Sequence, residues 1–235
     1  LKVANGEHIE LLKSGVEAFN CWRQDNPSTV LELAGADLAG LDLTGAKIRS
    51  ANLQGANLTN ARLTQASLAG ADLTGADFTG SDMFRASLTG ANCTGANLSN
   101  VNLFWGNLQR SNLQGATLRW SRLVRASFLG ADLIGADLSQ TTMIEVDLRN
   151  ANLSNANFQG ANMNGADLSR SVLAGADFTK AMIRDSMWIM TDMRQANFNL
   201  ASLHRSDLSM ARWDETTRFP KGFDPNNTGY KDVVD

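Results

Sequence analysis

The chain of 235 residues carries 21 Lys plus Arg against 24 Asp plus Glu, a formal net charge of −3 and a pI near 5.4. So even a balance excludes the strongly basic footprint of a direct nucleic-acid binder and the like-charged run of an acidic tail. No apolar run nears the ~18 residues that span a bilayer, so no membrane partner is expected. The two cysteines, Cys21 and Cys93, are too few for a disulfide framework.

In chain order, residues 6–24, GEHIELLKSGVEAFNCWRQ, come first and place Ile9, Leu12, Val16 and Phe19 at helical spacing. Asn5 stands where an N-cap belongs, and Asn26-Pro27 closes the segment. One amphipathic helix is expected here, and residues 1–30 are assigned to a cap.

From Leu33 to Trp213 every fifth residue is the centre of a phrase such as ADLTG, ANLSN or ANFQG, without insertion or deletion. Of 37 centres, 23 are Leu, and the residue two before each is small at nearly every phrase. A period of five fits neither 3.6 nor 2, so a plain helix or strand cannot keep both apolar positions on one face. They point inward together only if the chain bends at every phrase. The recurrent Gly, Asn and Asp supply that bend, because Gly accepts positive φ and Asx side chains bond nearby backbone. Pro would remove a ladder donor, and Pro27, Pro220 and Pro225 all fall outside the repeats.

The A(D/N)Lxx phrase resembles that of the pentapeptide-repeat family over residues 31–213, and residues 1–30 resemble the leader helix of its cyanobacterial-type members. The resemblance implies an all-β, right-handed quadrilateral β-helix with four phrases per coil of twenty residues. Sorting by twenty agrees with it: Phe78, Phe158, Phe178 and Phe198 share the column of Leu38, and Met83, Met143 and Met163 that of Leu43. About nine coils at ~4.8 Å per layer make a rod roughly 45 Å long. The tail, 214–235, holds Phe219, Phe223 and Tyr230 and is expected to fold back on the last coils. It is also the expected cover for Met182, Met187, Ile189, Met190, Leu200 and Met210, which fall at outward positions; an end-to-end dimer, as some relatives form, is the other reading.

No enzyme is expected. His8 and His204 belong to opposite ends of the rod, no Walker loop, dinucleotide fingerprint or metal box occurs, and no cofactor or metal is assigned. Family relatives that mimic DNA and bind gyrase suggest a topoisomerase-directed alternative. A mimic should be acidic, yet residues 31–213 hold 15 acidic and 15 basic side chains. An ice-binding Thr array, Thr59, Thr79, Ser99 beside Thr74, Thr94, breaks at Gln114 and Arg119. The chain begins at Leu1 rather than Met, and the periplasm or a thylakoid lumen is the expected compartment only if a signal peptide was removed. The two free thiols favour the cytoplasm.

One departure from the phrase points to function. In VNLFWGNL, Phe104 and Trp105 replace residues that are small or polar in most phrases. At the position after the centre, the twenty-residue coil stacks Phe84, Phe104, Val124 and Ile144, and the next position reads Arg85, Trp105, Arg125, Glu145. Arg122 lies on the same side and Trp120 at the corner before it. An apolar stripe with aromatic and Arg neighbours is expected to bind another protein or a second copy, so that the chain is a monomer or homodimer used as a scaffold or binding rod.

Overall fold

The computed structural model describes residues 4–227; Tyr230 of the tail lies outside them. Two short helices precede the repeats, α1 (Gly6–Lys13) and α2 (Val16–Asp25), where the sequence pattern reads as one. The break falls at Ser14-Gly15: the Ser14 hydroxyl donates back to the Leu11 carbonyl at 2.7 Å, and Gly15 adopts φ +113, which closes the first helix. The apolar spacing survives the break, since Leu12 and Phe19 are both buried on the core, with Ile9 and Val16 packed beside them. Asn5 caps α1 by accepting the Glu7 N–H at 2.9 Å.

The repeats form a four-sided β-helix. Parallel bridges join residues twenty apart, from Glu32 with Asn52 to Asp192 with Arg212. Most phrases turn through a bond such as Ala36 N–H to the Leu33 carbonyl, 3.0 Å, with Gly35 at φ +68. A three-residue reach with positive φ at the third residue is the type II turn. The Asp or Asn that stands before most centres anchors this turn. Its side chain accepts the N–H of the residue after the centre, as Asp72 does from Thr74 at 3.1 Å and Asn97 from Ser99 at 3.1 Å. That N–H points along the turn and has no ladder partner, so the Asx side chain satisfies it locally.

Every centre from Leu33 to Leu208 is buried, as is the alanine two before most of them. Like stacks on like along a column. Phe158, Phe178 and Phe198 lie with ring centroids 4.7 and 4.9 Å apart and planes within 1° and 6°. Buried hydroxyls at the small position stay satisfied, Ser81 donating to the Phe78 carbonyl and Ser171 to that of Leu168. Trp188, fully buried at a centre, donates its Nε1–H to Ser186 Oγ at 2.7 Å, so the small residue two before it must carry an oxygen.

Both ends of the ladder are closed. The first coil has no coil beneath it, and cap side chains replace the missing partners. His8 Nδ1 accepts the Glu32 N–H, Asn20 accepts the Lys47 N–H while donating to the Gly45 carbonyl, and Arg23 reaches the Arg49 and Thr29 carbonyls. At the other end the repeat continues one phrase beyond Trp213, with a slip of one residue. Asn197 bridges Arg218, twenty-one residues on. The extra residue is absorbed in a turn whose N–H groups at Thr216 and Thr217 donate to Asp214. Phe219 then continues the aromatic column at 5.8 Å from Phe198, and Phe223 closes it at 5.5 Å from Phe219.

Candidate functional site

Coil-to-coil hydrogen bonds bring the expected stripe together. Arg85, Trp105 and Arg125 donate their backbone N–H groups to the carbonyls of Phe104, Val124 and Ile144 at 3.0, 3.0 and 2.9 Å. The four apolar residues are therefore successive rungs on one face, each half-buried. Phe84 and Phe104 stack at 5.9 Å with planes 23° apart, and Phe104 leans on Trp105 at 6.2 Å. Trp105 is 46% exposed and lies between two guanidinium groups, Arg85 at 5.9 Å and Arg125 at 5.5 Å from its ring. Arg85 also covers the Phe84 ring at 5.2 Å.

Trp105 occupies the left-handed turn position at φ +60, where many phrases have Gly. Arg, Asn and Gln adopt the same angle elsewhere, so the coil imposes that conformation whatever the residue. What distinguishes Trp105 is the large apolar ring carried outward on it.

Trp120 is not drawn into the aromatic group. It is 53% exposed at the corner before the face, with Arg119 over its ring at 4.5 Å. Arg122 is exposed, and its backbone bridges Asn102 and Thr142 in line with the rungs. Sequence reading placed Glu145 in the column but missed its effect. It takes the Arg125 Nε–H at 2.6 Å, which lowers its own carboxyl below the usual range, through that hydrogen bond and then the charge. Among the described residues, Arg85 and Arg122 are left without a carboxylate partner.

Of the tail expected to cover the second apolar group, residues 228–235 lie outside the described residues. The described part of the tail stacks on the end of the core and leaves Met182, Met187, Met190, Leu200 and Met210 exposed, from 41 to 70%. Ile189 is half-buried, and Val172 joins the group at 40% exposure. Phe219 and Phe223 had a better place to go, over the outer face of the Phe198 ring, than out onto the rod's sides.

Elsewhere the acidic side chains serve the turns. Burial alone would raise the Asp177 carboxyl, but hydrogen bonds from Thr179, Gln159 and Asn197 outweigh it and hold it below the usual range. Asp192 is lowered by the Arg194 hydrogen bond. Burial, then the nearby Asp72 charge, push the Cys93 thiol up to about 12, so no thiolate is present near neutrality. Among the described residues no three His, Cys, Asp or Glu are grouped to hold a metal ion. No described helix is long and apolar enough to cross a membrane.

A four-sided rod of twenty-residue coils defines a β-solenoid class, and comparison narrows it. The model for pentapeptide repeats matches residues 32–65, 66–103, 111–150 and 151–186. The chain belongs to the pentapeptide-repeat family, whose structures are right-handed quadrilateral β-helices. It is 29% identical to HetL, a pentapeptide repeat protein involved in heterocyst differentiation regulation from the cyanobacterium Nostoc sp. strain PCC 7120, over 86% of this chain and 97% of that one, with a TM-score of 0.35. A thylakoid-lumen member from Arabidopsis thaliana is 34% identical, over 46% of this chain and 69% of that one, with a TM-score of 0.29. Trypsin-treated QnrB1, a plasmid-mediated fluoroquinolone resistance protein, gives a TM-score of 0.51 at 15% identity, over 76% of this chain and 90% of that one. At that identity the likeness is one of fold alone. No curated protein matches the chain.

Proposed function

We propose that this chain is a non-enzymatic binding rod that docks another protein through the stripe of Phe84, Phe104, Val124 and Ile144, with Trp105 as its anchor. The observation that carries the reading is Trp105 itself: a 46% exposed indole held between Arg85 and Arg125. Tryptophan and arginine concentrate interface energy, and a ring fixed by its neighbours loses little freedom on binding. The rigid coil below supports this, since every rung is tied to the next by backbone bonds. A topoisomerase-directed role has less support. The repeats sum to zero charge, and a face with unpaired arginines is unlike the dense negative surface of a duplex.

The test is the double variant Phe84→Thr, Phe104→Thr, which restores the residue type common at that position. The core beneath is untouched, so stability should change by no more than about 1 kcal/mol, the size of a ring pair plus surface effects. Capture of protein from a native lysate, or self-association measured by light scattering, should weaken by about 2 kcal/mol or more. Lost stability with association intact would make the stripe a structural ladder.

A further inference from the structure

Charge is unevenly placed along the rod. Residues 81–130 contain Arg85, Arg110, Arg119, Arg122 and Arg125 against Asp82 alone, while the whole chain is at −3. Four of those five arginines surround the stripe face or its corner; Arg110 sits on the diagonally opposite corner. Asp82, held by Asn102 at 2.9 Å and Thr64 at 3.2 Å, keeps its charge but pairs with none of them, while Asp137 and Glu145 pair with Arg119 and Arg125. Arg85 and Arg122 therefore present free guanidinium N–H groups on opposite sides of the apolar rungs. The two exposed indoles mark the same long edges, Trp105 where the chain leaves the face and Trp120 where it enters.

The spacing of the rungs selects the shape of the occupant. Layers stack at 4.7 to 4.9 Å, as the buried phenylalanines show. A helix laid along the rod offers an apolar residue every ~5.4 Å, and so drifts by about 2 Å over four rungs. An extended strand offers one every ~6.7 Å and drifts by about 6 Å, more than a whole rung. Nucleic acid fits poorly: Val124 and Ile144 give bases nothing to stack on, and two unpaired cations make a small footprint for a polyanion.

We infer that the stripe receives an amphipathic helix of a partner protein, lying parallel to the rod axis, with its apolar side on Phe84, Phe104, Val124 and Ile144 and acidic residues on both flanks. This rests on the docking reading above and names the chemistry of its partner. Carboxylates on one flank meet Arg85 beside Trp105, and those on the other meet Arg122; planar guanidinium groups match carboxylates two bonds at a time.

The experiment uses a fluorescein-labelled 18-residue helical peptide with Leu on one face and Glu on both flanks. A matched peptide with Lys for every Glu and a 20-mer of oligo(dT) serve as comparisons. Anisotropy should show the Glu peptide binding the full chain at least tenfold more tightly than either, and more weakly as salt rises. Trp105→Gly, which installs the residue the left-handed turn prefers, should weaken binding tenfold or more while thermal melting is retained. Arg122→Glu, at an exposed position, should do the same for the Glu peptide and reverse the preference toward the Lys peptide. Equal binding of the two peptides, tighter binding of the oligonucleotide, or no binding of the Glu peptide at millimolar concentration overturns the acidic-helix assignment. In those cases, lysate capture that still depends on Phe84 and Phe104 leaves the docking reading standing; capture indifferent to both sinks that reading too.

Discussion

Phe178→Ala is the sharpest probe of how this rod is held together. Phe178 is fully buried, sandwiched between Phe158 at 4.7 Å and Phe198 at 4.9 Å, with Trp188 edge-on at 5.5 Å. Phe-to-Ala truncation in a core costs about 3–5 kcal/mol, and the cavity here cannot collapse because backbone ladders fix each wall. Three aromatic contacts are lost at once, each worth ~0.5–1.5 kcal/mol beyond area, so the upper end of that range, about 5 kcal/mol, is expected. Phe178→Leu separates volume from stacking: Leu fills this column at Leu98, Leu118 and Leu138, so its cost should be only about 1–2 kcal/mol. Urea unfolding gives the totals. Hydrogen exchange gives the location, because each coil touches only its neighbours, and protection should fall from about residue 150 onward while coils before residue 90 keep theirs. A cost below about 2 kcal/mol for the alanine variant, or exchange rising equally along the rod, would refute the account.

The inward alanines leave no spare volume, so Ala96→Leu and Ala136→Leu, at positions 1% and 0% exposed, should each destabilise by about 1–3 kcal/mol. Unchanged melting of both would mean those side chains do not face the core. Deleting residues 1–26 removes the partners of the Glu32 and Lys47 N–H groups and the Gly45 and Arg49 carbonyls. Light scattering should then report association through the bared edge, and a monomer of undiminished stability would show that the helices are not a cap. The carboxyls of Asp72, Asp147, Asp177 and Asp192 lie below their ordinary values in the folded state. Groups lowered on folding add stability that is complete above the unfolded pKa near ~3.9 and is lost as pH falls through the folded values. The urea midpoint should stay level from pH 7 to about 5 and decline below about 4; a decline already under way between pH 7 and 5 contradicts this assignment.

Much of the rod was legible because its two periods, five and twenty, are carried by every phrase. The stripe was legible for the same reason: Phe84 and Phe104 can be placed one above the other by counting. Distances were not. Nothing in the spacing says that the Trp105 ring lies between two guanidinium groups rather than free, or that Glu145 takes one of them. The helix break at Gly15 was hidden because Leu12 and Phe19 keep a seven-residue spacing across it, both helices lying on the same end of the core. The tail misled in a different way. Its aromatics announce burial but not where, and the one-residue slip after Trp213 moves Phe219 out of the five-residue count that would have revealed it as another centre.

The bridge spacing of twenty, unbroken from Glu32 to Arg212, also makes the rod a device with rotational phase. Excising a full coil, residues 151–170 for instance, shortens the rod by one layer, and every remaining residue keeps its side. Excising five residues shortens it hardly at all but turns everything downstream by a quarter revolution. The apolar rungs come from four consecutive coils and share a side only while that phase holds. Lengthening or shortening this molecule is therefore harmless in units of twenty, whereas a single lost phrase between Phe84 and Ile144 would break the stripe in two and leave both halves folded.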